Sequence, residues 1–153
     1  MKWLELRIPP PLVAGFFALL MWLAAAWIPA LDFDFPGKLP ISLAVAAAGV
    51  AIGLSAAFGF RRAKTTVSPF APQESSALVI TGVYRWTRNP MYLGMLAILV
   101  AWALWLANAA SFFLLPLFML YLNRFQISPE ERALQARFGG EFERYRRSVR
   151  RWL

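Results

Sequence analysis

Apolar positions along this chain gather into four long blocks, and polar positions fall in the short intervals between them. The first block runs from about Pro11 to Ile28 and the second from about Leu39 to Phe60. The third begins at Pro90, the fourth ends near Ile127, and a turn lies around Leu106 to Ser111. A helix that crosses a bilayer needs roughly 20 apolar residues, with a working range of about 17–25. The first two blocks meet that length, and the last two share residues 90–127 as a tight helical hairpin. The pattern predicts an all-α integral membrane protein with about four transmembrane helices.

After Ile127 the pattern changes in kind. Ser128-Pro129-Glu130-Glu131 reads as a helix start, with Ser128 as N-cap, Pro129 in the first turn and Glu131 at the capping-box position. Leu134, Phe138, Phe142, Tyr145 and Val149 then recur at helical spacing with arginines between them, and Gly139-Gly140 should divide the helix in two. This is an amphipathic tail suited to the cytoplasmic face of a membrane. Residues 65–82 are too rich in Pro and Ser to cross a bilayer and are expected to form a loop. The organisation predicted is a single membrane domain: two N-terminal helices in 1–60, a cytoplasmic loop in 61–89, the hairpin in 90–127 and the tail in 128–153.

Composition sharpens this reading. Of the 153 residues 59% are hydrophobic, more than a soluble domain of this length can bury. Cysteine and histidine are absent, which removes disulfides, thiol nucleophiles, Cys/His zinc sites, His-ligated haem and a histidine base. The net charge of +8 would suit nucleic acid or anionic lipid; in a membrane protein lipid comes first, and no nucleic-acid partner is expected. Fifteen of the 16 Lys and Arg residues lie in three places: Lys2 and Arg7, the 61–89 loop, and the tail from Arg124 onward. Four spans put these places on one side, which the positive-inside rule makes cytoplasmic, with both termini. Lys38 alone lies elsewhere, beside Asp32 and Asp34. The Arg- and Ala-rich composition suggests a GC-rich bacterium and hence its inner membrane. Lys2 and Arg7 before an apolar run also fit a signal peptide, but the length of the run favours a span.

The chemistry concentrates in "TRNPMYLGML", residues 87–96. Asn89 is suited to cap a helix and Pro90 to begin one, while Arg88 could simply reach lipid phosphate. The same geometry can hold an anion, because a helix start carries about half a positive charge and free N–H groups. Arg88 adds a full charge, Tyr92 lies about half a turn inside, and Gly94 leaves room for a helix or a flat ligand. Asn89, as a cap, would compete for those N–H groups. Arg124, with Asn123 at the end of the fourth block, is a costly charge close to hydrocarbon and a further candidate.

Three stretches together, "TTVSPF", "LVITGVYRWTRNPMYLGML" and "EERALQARFGGEFERYRRSVRRWL", resemble the isoprenylcysteine carboxyl methyltransferase family, and its small bacterial members most closely. The resemblance covers about residues 65–153. It implies methyl transfer from S-adenosyl-L-methionine, with a cytoplasmic cofactor pocket built by the last two helices and the tail. It also implies a lipophilic acceptor arriving through the bilayer. By motif it assigns Arg88, Asn89, Pro90, Tyr92 and Gly94 to the cofactor site, together with Glu130, Glu131, Phe138 and Tyr145, and Met95, next to the motif, is a further cofactor-site candidate. Arg88 and Glu131 are the candidate catalytic pair. Asn89 stands where the eukaryotic enzymes have histidine, Arg150 stands where many members have proline, and the chain has fewer helices than the larger relatives. These departures bear on the acceptor more than on the cofactor.

The residues are compatible with that chemistry. In-line displacement at a sulfonium needs close approach and a water-poor site more than an acid. The acceptor could be a carboxylate, a thiol or a lipid amine. Arg88 and the helix start suit the cofactor's carboxylate, and Glu130 or Glu131 its ammonium or ribose hydroxyls. No glycine-rich turn of the Rossmann type is present. Two other readings stand beside this one. Sterol-type membrane reductases carry a similar Arg-x-Pro-x-Tyr-x-Gly stretch and use a nicotinamide cofactor. A non-enzymatic lipid-binding protein would use the tail only as an anchor.

Overall fold

The computed structural model describes residues 5–63 and 77–153. The "TTVSPF" stretch and Lys2 lie outside the described residues. Among the described residues the chain is helical and has no strand: α1 (Pro10–Trp27), α2 (Lys38–Arg62), α3 (Pro90–Leu106), α4 (Ala109–Leu122), α5 (Ser128–Phe138) and α6 (Gly140–Ser148). α1, α2 and the long helix that begins with α4 are long and apolar enough to cross a membrane. α3 has 17 residues, about 25 Å at 1.5 Å per residue, at the short end for a span. Leu12, Phe58, Phe113 and Leu120 are all more than 60% exposed on these helices, an arrangement that lipid accepts and water does not.

One core joins Val13, Phe17 and Met21 of α1 to Tyr92, Leu99 and Ala103 of α3 and to Phe118 and Leu122 of α4. α2 and α3 approach so closely that a Cβ on Gly94 would lie 2.7 Å from the Gly49 carbonyl oxygen, and one on Gly49 would lie 2.8 Å from that of Gly94. Of the two occupants expected beside Gly94, the structure places the helix and not a ligand: its missing side chain is spent on packing against α2.

The α3–α4 turn is locked. Ala107 takes a left-handed φ of 50° and ends α3. Asn108, fully buried, then caps α4: its Oδ1 accepts from the Ala110 N–H at 2.9 Å. Its Nδ2 donates to the Ile28 carbonyl at 2.9 Å and to Asp32 Oδ1 at 2.7 Å, which ties the hairpin to the end of α1. This places the α1–α2 connection and the α3–α4 turn at one end of the bundle, and residues 77–89 with the tail at the other.

The expected helix start at Ser128 is corrected. α4 runs through a π-helical turn, Asn123–Ile127, directly into α5, and Ser128 keeps helical backbone angles. Its hydroxyl donates to the Asn123 carbonyl at 2.6 Å and caps nothing. The wider i→i+5 turn lets Pro129, which has no N–H, follow without breaking the helix. Gly139, with φ +50°, does end α5 as expected, and α6 turns back. The apolar side of the tail packs on protein: Phe142 and Tyr145 join Ala56, Val79 and Tyr84 in a second core. Arg124 has an architectural partner, donating to Glu5 at 2.7 Å, and Arg132 pairs with the same carboxylate. Those guanidiniums, Arg124 foremost, hold the Glu5 carboxyl below its usual range.

Candidate functional site at the head of α3

Thr87, Arg88 and Asn89 enter α3 beneath the C-terminal segment of the chain. The Arg88 N–H donates to the Arg150 carbonyl at 3.0 Å, and the Thr87 hydroxyl and Asn89 Nδ2 donate to the Arg151 carbonyl at 3.2 and 2.9 Å. Asn89 thus stands at the capping position but makes no side-chain cap. That removes the competitor for the first N–H groups of α3, which retain their attraction for an anion.

Arg88 is 89% buried on its side chain, and its own chain uses most of its guanidinium. One terminal nitrogen donates to the carbonyls of Arg146 at 2.7 Å and Val149 at 2.8 Å, the other to Glu131 Oε1 at 2.9 Å. Its Nε is buried with no hydrogen-bond partner among the described residues. Arg151 approaches Glu131 from the other side, donating from Nε at 3.2 Å to Oε1 and from a terminal nitrogen to Oε2. Glu131 is therefore clamped between two arginines, and the capping-box role expected for it does not arise, because no helix starts at Ser128.

Its neighbour is in a different position. Glu130 faces α3, and the Tyr92 hydroxyl donates to its Oε1. None of the ion pairs among the described residues involves Glu130. Adjacent residues on a helix point about 100° apart, so the Glu-Glu pair sends one carboxylate into an arginine clamp and leaves the other uncompensated. Taking a carboxylate from water without a cation is unfavourable, so one with no ion-pair partner favours a positively charged ligand.

The remaining expected residues divide by role. Pro90 is buried at the first turn of α3, and Met95 packs on the first core. Phe138 packs on the second core and Tyr145 belongs to it. The Tyr145 hydroxyl donates to the Tyr84 carbonyl at 2.7 Å. Burial raises the Tyr145 phenol well above its ordinary range, against a weaker opposing effect of Arg88, so the proton needed for that bond stays in place. Arg151 and Thr87 were not among the expected residues, and Asn123 was noted only as the neighbour of Arg124. Asn123 Oδ1 accepts from Trp152 Nε1 at 3.2 Å and helps seat the C-terminal segment. No local sequence pattern marks Arg151, since its partner stands twenty positions earlier.

A curated protein of Haemophilus influenzae, described only as an uncharacterized protein, is 49% identical over 63 residues, which are 41% of this chain and the whole of that relative. No solved structure matches. The phospholipid methyltransferase family, which is related to the isoprenylcysteine carboxyl methyltransferases, matches residues 38–141, from the start of α2 into α6. With more than half its length matched, and with its helical membrane architecture, the chain belongs to the phospholipid methyltransferase family and is a membrane methyltransferase.

Proposed function

We propose that the protein transfers a methyl group from S-adenosyl-L-methionine to the amine of a phospholipid headgroup, at the head of α3. The observation that carries this reading is the uncompensated Glu130 carboxylate held against Tyr92. A carboxylate acceptor would meet repulsion there, whereas an ammonium headgroup would be attracted. The family match and the resemblance to isoprenylcysteine methyltransferases support the reaction type.

The residues present fit the cofactor. Glu130 suits its cationic groups, and the uncapped first turn of α3 suits its carboxylate, with the buried, unpartnered Nε–H of Arg88 beside it. When bound, the cofactor would supply an electrophilic methyl to the headgroup nitrogen and would leave as the neutral thioether. Glu130 attracts the headgroup ammonium and takes its proton, which frees the nitrogen lone pair, and then releases the proton to cytoplasmic water. Tyr92 orients that carboxylate. Arg88 and Arg151 hold Glu131 and thereby fix α5 against α3, which sets the position of Glu130. The acceptor reaches the site from the bilayer and the cofactor from the cytoplasm, the side that also holds both termini. The second core, against which Met91 in the first turn of α3 packs, and the surrounding lipid limit the access of water.

Titration of purified protein with S-adenosylmethionine and, separately, with NADPH tests this. The reading expects saturable binding of the first, reduced at least tenfold in Glu130→Gln. Binding of the nicotinamide cofactor alone would instead support a reductase, and binding of neither a non-enzymatic role.

A further inference from the structure

At the end of the bundle away from Arg88, an open groove of about 410 Å³ runs between α1 and α2 with α3 as its floor. Ala18 of α1 forms one wall and Ser42, Leu43 and Ala46 of α2 the other, while Leu99, Trp102 and Trp105 line the base. The volume is within the range of sites that hold small ligands, roughly 300–1,000 Å³. The lining is almost wholly apolar, and the hydroxyl of Ser42 is already committed to the Lys38 carbonyl at 2.7 Å. Such a space offers water no partners. In a bilayer it takes a hydrocarbon chain.

The mouth of the groove carries a charge. The Lys38 ammonium sits 5.8 Å from the centre of the Trp105 ring. Lys38 is the one Lys or Arg of the sequence outside the three basic groups, and among the described residues no carboxylate forms an ion pair with it. Asp32, in the connection that leads to α2, accepts from Asn108 instead. A lysine at the non-basic end runs against the usual charge bias of membrane proteins, and its cation–π contact fixes it over a groove residue. We propose that the groove is a structural phospholipid site: one acyl chain lies between α1 and α2, and the lipid phosphate is held by Lys38. The occupant is an anionic phospholipid of the leaflet facing the α1–α2 loop. A zwitterionic headgroup carries a second cation that competes with Lys38 for the phosphate. This site lies at the opposite end of α3 from the methyl-transfer site, and its occupant is not the methyl acceptor.

Native mass spectrometry of the delipidated protein, re-supplied with dioleoylphosphatidylglycerol or dioleoylphosphatidylcholine, tests the proposal. The wild-type protein is expected to retain one phosphatidylglycerol at least tenfold more tightly than phosphatidylcholine. Lys38→Gln should abolish that preference while still binding a chain. Ala46→Phe, which fills the groove, should abolish retention of both lipids while thermal unfolding confirms the fold. Phe58→Ala, on a lipid-facing position outside the groove, controls for general annular lipid and should change neither. Equal retention of the two lipids by the wild-type protein, or undiminished retention in Ala46→Phe, would overturn the proposal.

Discussion

The two adjacent glutamates should separate under the same conservative substitution. Glu131 lies 2.9 Å from Arg88 and is bridged by Arg151 through both its oxygens, with side-chain exposures of 13%, 11% and 34% for the glutamate and the two arginines. Removing one member of a buried ion pair typically costs about 3–5 kcal/mol, because the charge left behind is unmatched. Arg151 is one-third exposed and recovers some hydration, and glutamine keeps one acceptor, so Glu131→Gln is expected to cost about 2–3 kcal/mol of stability. Glu130 has no cation to strand. Its amide analogue keeps an acceptor for Tyr92 and no longer holds a bare charge away from water, so Glu130→Gln is expected within about 1 kcal/mol of wild type. Catalysis should show the reverse order. Glu130→Gln should lose methyl transfer by two orders of magnitude or more, the usual scale for a lost general base. Glu131→Gln should retain measurable turnover per folded molecule. Equilibrium unfolding in mixed micelles and methyl transfer on the same preparations supply both numbers. Equal destabilisation by the two substitutions, or an active Glu130→Gln, would refute the division of roles.

Further outcomes follow from other contacts. Gly94→Ala should already force α2 and α3 apart, at about 1–3 kcal/mol, with cofactor affinity and turnover falling together, as measured on thermal melts and cofactor titration. Asn108→Ala removes the α4 cap and the links to Ile28 and Asp32, and should cost about 2–4 kcal/mol in unfolding experiments without changing cofactor affinity in the folded fraction. Tyr145→Phe leaves the Tyr84 carbonyl without its donor and should cost about 1–3 kcal/mol by the same assay. Reporter fusions after Trp152 and near Phe35 should report opposite compartments; the same compartment for both would contradict four crossings.

What was legible in the sequence was what the bilayer imposes. Apolar length marked the helices, and Asn-Pro marked the start of α3 at Pro90, because proline suits a first turn whatever surrounds it. Gly139-Gly140 marked the end of α5 for the same local reason. Ser128-Pro129-Glu130-Glu131 misled, since a local capping pattern cannot reveal that a π-turn carries the preceding helix through it. The Glu-Glu pair was visible as chemistry, but which carboxylate stays uncompensated depends on Arg88 and Arg151, 43 positions earlier and 20 later. Gly94 likewise announced a close approach without naming its partner, which is Gly49. Asn108 could have been found, as an asparagine directly before an apolar run.

Methyl transfer to a lipid amine is the central claim, and the most direct measurement supplies purified protein with methyl-labelled S-adenosylmethionine in bilayers of phosphatidylethanolamine. Parallel bilayers carry a lipophilic carboxylic acid in place of the amine lipid. The account predicts label in N-methylated phospholipid, rising with pH as the headgroup amine loses its proton, and none when Glu130 is replaced by glutamine. Label in the carboxylic ester with none in the amine lipid, or undiminished label from Glu130→Gln, would contradict it.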